Sequence, residues 1–128
     1  RILGLHALRQ LPTAVLVLLE ARGTRRPNIR LQGYAAESGV DAKRILTTGS
    51  AKKQAHLQRS ATISLFLDTW KVNSHSTAVD SLWAGVPVVS LPRVRMQARV
   101  AAGLLHALGM PELLARDEGD YAALIVAV

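Results

Sequence analysis

Cysteine is absent, aromatic side chains make up 4% of the chain, and no apolar run approaches the length of a membrane span. The first absence excludes disulfides, thiolate metal sites and cysteine nucleophiles, and it fits a reducing compartment. The second argues against a single-strand nucleic-acid binder, which stacks bases on aromatic platforms. One Phe, two Trp and two Tyr build little of such a platform. The third excludes a spanning helix, because "AVLVLLEA" falls far short of the roughly 20 residues required. The four histidines show no His-Glu-x-x-His spacing, and neither a Gly-x-Ser-x-Gly elbow nor a Walker-type glycine loop is present. No metal, no cofactor and no membrane partner are therefore expected. The chain opens at Arg1 without a leader pattern and ends inside a helical one, "YAALIVAV". It is expected to be a piece of a longer protein.

What is present is a globular composition. In 128 residues, 49% are apolar, enough for a core. The net charge is +7, from 16 Lys and Arg against 9 Asp and Glu. That balance favours an anionic partner. The cations are scattered, from Arg22, Arg25, Arg26 and Arg30 through Lys43, Arg44, Lys52, Lys53 and Arg59 to Arg93, Arg95 and Arg99. Most are expected to face solvent.

Apolar spacing predicts a helix over 2–11, stopped by Pro12, and a strand over 14–19 that is buried on both faces. "EARGTRRP" reads as a polar loop. A helix follows over 28–38, closed by Gly39. "RILTT" (44–48) is a strand, Gly49-Ser50 a turn with Ser50 as a helix cap, and 51–60 a helix. "ISLFL" (63–67) is a second buried strand, 68–76 a loop, and "TAVDSLWA" a helix ended by Gly85 with Trp83 facing the sheet. "VPVVSL" is the last strand. A long amphipathic helix over 95–108 ends at Gly109, and shorter helices follow near 111–115 and 118–127. Alternating helices and continuous apolar strands predict an α/β fold, a doubly wound, Rossmann-like parallel sheet.

Ligands of such sheets bind beyond the carboxyl ends of the strands. Two loops there are chemically rich. "TGSAKKQAH" brings Lys52, Lys53 and His56, and "DTWKVNSHST" brings Asp68, Asn73, His75, Ser76 and Thr77. The second loop runs straight into a helix N-terminus, whose free N–H groups and dipole favour an anion. Asp80, one turn in, repels phosphate but can accept from sugar hydroxyls. The layout suits a nucleotide, with its diphosphate at the helix start and its ribose beside it. A plainer reading stands next to it, since Thr77 and Asp80 also form a Thr-x-x-Asp capping box. His75 and His56 taken singly fit a loop or exposed helix, Lys52 and Lys53 fit solvated first-turn residues, and His6 and His106 sit on amphipathic helices as structural residues. A non-catalytic basic module that binds nucleic acid or an acidic protein is the rival reading, favoured by the charge and opposed by the scatter of that charge.

The stretch "HSTAVDSLWAGVPVVSLP" resembles the donor-nucleotide segment of two-domain GT-B glycosyltransferases. Together with "LRQLPTAVLVLL", "AKKQAHLQR", "LFLDT" and "ARVAAGLLHALGMPELLA", in this order, it is similar over essentially the whole chain to O-linked N-acetylglucosamine transferases and the related Spindly-type fucosyltransferases. The resemblance implies the C-terminal, nucleotide-binding lobe of the GT-B fold. It implies that Lys53 and His56 address the uridine, His75, Ser76 and Thr77 hold the diphosphate, and Asp80 bonds the ribose. Ala51, Lys52 and Arg59 would line the same site. It implies UDP-N-acetylglucosamine as donor substrate, protein Ser/Thr acceptors bound through regions upstream, no nucleic acid, and a cytoplasmic or nuclear setting. His75 and Asp80 favour this donor over GDP-fucose, because Spindly-type members tend to lose that histidine and carry Glu for the aspartate. Four positions depart from the family pattern. Lys52 replaces a common proline, Ser74 a glycine, Ser76 a threonine, and Arg93 a glycine. The family's phosphate-binding lysine and its proposed catalytic base lie upstream of Arg1, so no catalytic residue is assigned within these residues.

Overall fold

The computed structural model describes residues 3–20 and 25–128 and divides into two compact units, 1–52 and 53–128. Of the expected loop "EARGTRRP", residues 21–24 lie outside the described residues, and 25–27 already belong to a helix.

The first unit is a helix followed by a βαβ turn. Helix α1 spans Leu3–Gln10, strand β1 Leu16–Glu20, helix α2 Arg25–Glu37 and strand β2 Ile45–Gly49. β1 and β2 pair in parallel, with Leu16 opposite Ile45 and Glu20 opposite Gly49. Leu5 and Leu8 of α1, Ala35 of α2, Val40 and Ile45 form the core, and Leu16, Leu18 and Leu31 pack against it. Arg44 ties this unit together. Its guanidinium donates to the carbonyls of Leu8, Leu11 and Ala14, which places a cation at the C-terminal end of α1. The sequence predicted a strand buried on both faces, and the structure corrects this. Alternation puts Leu16 and Leu18 on the helix-covered face and leaves Val15, Val17 and Leu19 exposed, joined by Leu46 of β2.

The second unit contains helix α3 (Lys53–Ser60), strand β3 (Phe66–Leu67), helix α4 (Ser76–Trp83), strand β4 (Val88–Val89), helix α5 (Val100–Ala107) and helix α6 (Glu118–Ala127). β3 and β4 are again parallel, Phe66 opposite Val88 and Leu67 opposite Val89. A parallel bridge from Ser90 to Leu114 continues the pairing on the other side of β4. The core is built of Val88, Val89, Leu91, Ala101, Leu105, Tyr121 and Ile125, with Ala78 beneath α4. The expected α/β class with parallel strands holds, and the pairing among the described residues forms two two-stranded ladders.

Helix ends follow the glycines. After α4, Gly85 takes φ +79, and the N–H of Val86 reaches back to the Ser81 carbonyl at 2.9 Å. This left-handed stop satisfies an orphan carbonyl at little steric cost to glycine. Further expectations fail. α3 begins at Lys53, so Ser50 is not its cap, and the buried strand expected over 63–67 is confined to the half-buried Phe66–Leu67. The helix predicted over 95–108 is broken into a 3₁₀ turn at Met96–Ala98 and α5, because Asn73 accepts from the Ala101 N–H and starts the helix there. Trp83, expected in the core, is 83% exposed. α4 buries the small side chains of Ala78 and Ser81, and Trp83 lies on another face.

Candidate functional site

The candidate site lies on α3, α4 and the loop between β3 and α4. That loop is held by buried polar groups. The carboxylate of Asp68, 1% exposed, accepts from the Ser74 N–H at 2.7 Å and from the Ser90 hydroxyl at 2.7 Å. Burial pushes its pKa up, and the two hydrogen bonds pull the other way. Its backbone carbonyl receives the Tyr121 hydroxyl at 2.7 Å. Burial, and then the Asp68 charge, raise the Tyr121 phenol well above its ordinary range, so it serves as a fixed donor. Asn73, also buried, donates from its backbone to the Gln97 carbonyl and from its side chain to the Thr69 carbonyl. These bonds fix the chain path into α4.

At the start of α4, His75 occupies the cap position and makes no side-chain capping bond. The first backbone bond runs from the Val79 N–H to the His75 carbonyl at 3.2 Å, so the N–H groups of Ser76, Thr77 and Ala78 have no partner within the helix. His75 and Ser76 are exposed and Thr77 is half-buried. The Thr77–Asp80 capping box does not form, because the helix starts earlier, with His75 at the cap and Thr77 already inside it, and the Asp80 carboxylate is engaged from the neighbouring helix. Lys53 donates to its Oδ1, and His56 Nε2 stands 3.9 Å from its Oδ2. Arg59 Nη2 lies 3.1 Å from His56 Nδ1. A guanidinium only donates, so Nδ1 is the acceptor in this contact, and Nε2 is the ring nitrogen on the Asp80 side.

The structure thus joins Lys53, His56, Arg59 and Asp80 in one chain of contacts. It places His75, Ser76 and Thr77 at the N-terminus of the helix that carries Asp80. Ala51 and Lys52 are exposed residues of the first unit, ahead of α3. The roles of Asp68, Ser90 and Tyr121 in holding the loop were missed. A polar residue directly after an apolar strand, as at Asp68, was the available signal. No cluster of three or more His, Cys, Asp or Glu suited to a metal ion occurs among the described residues. No helix among them is long and apolar enough to cross a membrane.

Comparison with known proteins gives this arrangement its context. The sequence profile described as "Glycosyl transferase family 41" matches residues 3–128. The chain belongs to glycosyl transferase family 41. This family 41 chain is 36% identical over 119 residues to the UDP-N-acetylglucosamine–peptide N-acetylglucosaminyltransferase of Caenorhabditis elegans, which covers 93% of the chain and 10% of that protein. It is 40% identical over 105 residues to the probable UDP-N-acetylglucosamine–peptide N-acetylglucosaminyltransferase SEC of Arabidopsis thaliana, covering 82% of the chain and 10% of that protein. Among solved structures it is similar to a mutant O-GlcNAc transferase of Thermobaculum terrenum, with a TM-score of 0.90, 29% identity, and coverage of 98% of this chain and 24% of that one. The chain therefore spans about a tenth of the length of its curated relatives.

Proposed function

We propose that this chain is the donor-nucleotide half-site of a longer protein O-GlcNAc transferase, which moves N-acetylglucosamine from UDP to Ser or Thr hydroxyls of proteins. The observation behind the proposal is the Lys53–Asp80–His56 cluster, in which Lys53 and His56 of α3 meet Asp80 on α4, the helix whose N-terminus follows His75. Asp80 and Lys53 together present an acceptor and a donor, the pair that two vicinal ribose hydroxyls need. His56, held edge-on by Arg59, offers its ring to the uracil. Ser76 and Thr77 hydroxyls and the free N–H groups of α4 face the diphosphate. As the glycosidic bond breaks, negative charge gathers on the leaving diphosphate, and pre-oriented N–H dipoles stabilise it without reorganisation. No metal enters this proposal; the α4 N–H groups and the Ser76 and Thr77 hydroxyls meet the charge of the diphosphate. Acceptor proteins are engaged by parts of the parent outside these residues, in a cytoplasmic or nuclear setting.

Calorimetric titration of UDP into the full-length protein tests this. His75→Ala and Asp80→Ala should each weaken UDP binding by roughly tenfold or more, the scale of one lost charge-assisted contact. Unchanged affinity in both variants sinks the site assignment. GDP binding tighter than UDP overturns the choice of donor.

A further inference from the structure

The loop that follows β4, residues 93–99, has no part in the proposed nucleotide site, yet it is built as a presenting surface. Its backbone is closed on itself. The Arg93 N–H bonds the Ala98 carbonyl at 2.9 Å, and the Ala98 and Arg99 N–H groups bond the Arg95 and Met96 carbonyls. It is also anchored from outside, by the Asn73 N–H on the Gln97 carbonyl at 2.7 Å. Such a loop holds its shape, and its side chains project from a fixed frame. Those side chains are unusual for a solvated turn. Val94 is 90% exposed and Met96 is 76% exposed, and they alternate with Arg93 and Arg95, with Arg99 following. Arg93 is paired with Glu118, whereas Arg95 and Arg99 have no carboxylate partner among the described residues. No acidic residue lies between Leu91 and Arg99.

We propose that this loop is a docking surface for an acidic segment of a partner protein, taken up in extended form with apolar side chains between its carboxylates. The complementarity decides the class. Arginines fit carboxylates as bidentate donors. A simple polyanion or phosphate, in contrast, gains nothing from Val94 and Met96, whose exposure is costly unless an apolar side chain covers them. A segment of alternating acidic and apolar residues satisfies both features at once. The frame is preordered, so binding does not first have to order the loop. The inference is independent of the sugar-transfer reading, because none of these side chains belongs to the Lys53–Asp80 cluster.

Fluorescence anisotropy tests it on the full-length protein, with a labelled peptide of repeated Glu-Val-Asp-Leu as probe. Two variants are compared, Arg95→Glu with Arg99→Glu, and Val94→Ser with Met96→Ser. All four residues are exposed or lie outside the core, so thermal midpoints and UDP affinity should match the unsubstituted protein. The arginine variant should weaken peptide binding by roughly tenfold or more, and raised salt should weaken it in the unsubstituted protein. The Val94/Met96 variant should weaken it by about threefold or more, as loss of apolar contact predicts. A peptide with Lys for its acidic residues should not bind. The proposal is overturned by peptide affinity that is absent, or that either variant leaves unchanged from the unsubstituted protein. It is likewise overturned if an RNA oligonucleotide binds more tightly than the peptide and depends on Arg95 and Arg99. Loss of UDP binding in the unsubstituted protein bears on the donor proposal and leaves this test intact.

Discussion

Lys53 and Asp80 stand 27 residues apart in the chain and meet as an ion pair between α3 and α4. Lys53 is largely exposed and Asp80 is half-buried, so the pair adds little to stability. Its use is positional, because it keeps a carboxylate and an ammonium side by side at one end of a helix.

Lys53→Met should therefore change folding stability by less than about 1 kcal/mol, the range of exposed pairs. The same substitution should lower UDP affinity by roughly tenfold in the full-length protein. Chemical denaturation and calorimetry on the same samples separate the two effects. A large stability loss with unchanged UDP binding would mean that the pair is structural.

Arg59 meets the His56 ring at Nδ1. Nitrogen NMR of the side chain should find the hydrogen on Nε2 rather than Nδ1, and Arg59→Leu should release that preference toward a mixture. A ring protonated on Nδ1 in the unsubstituted protein contradicts the Arg59 contact.

Asp68 carries the loop into α4. Asp68→Ala leaves the Ser74 N–H and the Ser90 hydroxyl without their acceptor and should destabilise the fold by about 2–4 kcal/mol. Asp68→Asn keeps one acceptor and should cost less. Urea unfolding of the three proteins ranks them, and an Asp68→Ala protein as stable as the original refutes the role.

The same carboxyl predicts a pH dependence. Burial raises its pKa above the ordinary 3.8, so the folded state holds this proton at a pH where the unfolded state has lost it. By linkage, the contribution of Asp68 to stability is fullest below 3.8 and declines as pH rises from there through the raised folded value. Unfolding curves at a series of pH values should show this decline, and Asp68→Asn should remove it. A slope that survives the substitution assigns it to other groups.

Trp83 and Trp70 should report different surroundings. Trp70 meets Tyr121 edge-to-face, with ring centroids 5.8 Å apart, whereas Trp83 is open to solvent. Iodide should quench Trp83 more strongly than the half-buried Trp70. Trp83→Ser should shift stability by only about 0.5 kcal/mol, against about 3–5 for a core tryptophan.

The α/β alternation, the parallel pairing and the glycine stops were legible because each rests on local chemistry. Apolar runs such as "AVLVLL" and "VPVV" read as strands, and Gly39, Gly85 and Gly109 end helices wherever an αL residue is needed. His75, Ser76 and Thr77 could be placed at a helix start for the same reason. Solvent exposure was less legible, since a continuous apolar run such as β1 does not say which of its faces a neighbour covers. Val17 and Leu19 show this, as does Trp83 on a helix that buries only small residues.

The sequence by itself determined the alternation of strands and helices and the types of residue brought to the start of α4, because propensity and spacing act within a few residues. It left Asp80 between two partners, the N-terminal turn of its own helix and a distant lysine. Only the tertiary structure decided, by packing α3 beside α4 so that Lys53 takes the carboxylate. Tertiary structure also turned Asp68, an unassigned loop residue, into the anchor of the site, because its partners Ser90 and Tyr121 lie 22 and 53 residues away. A local pattern holds no information about partners at that separation; the fold supplies them.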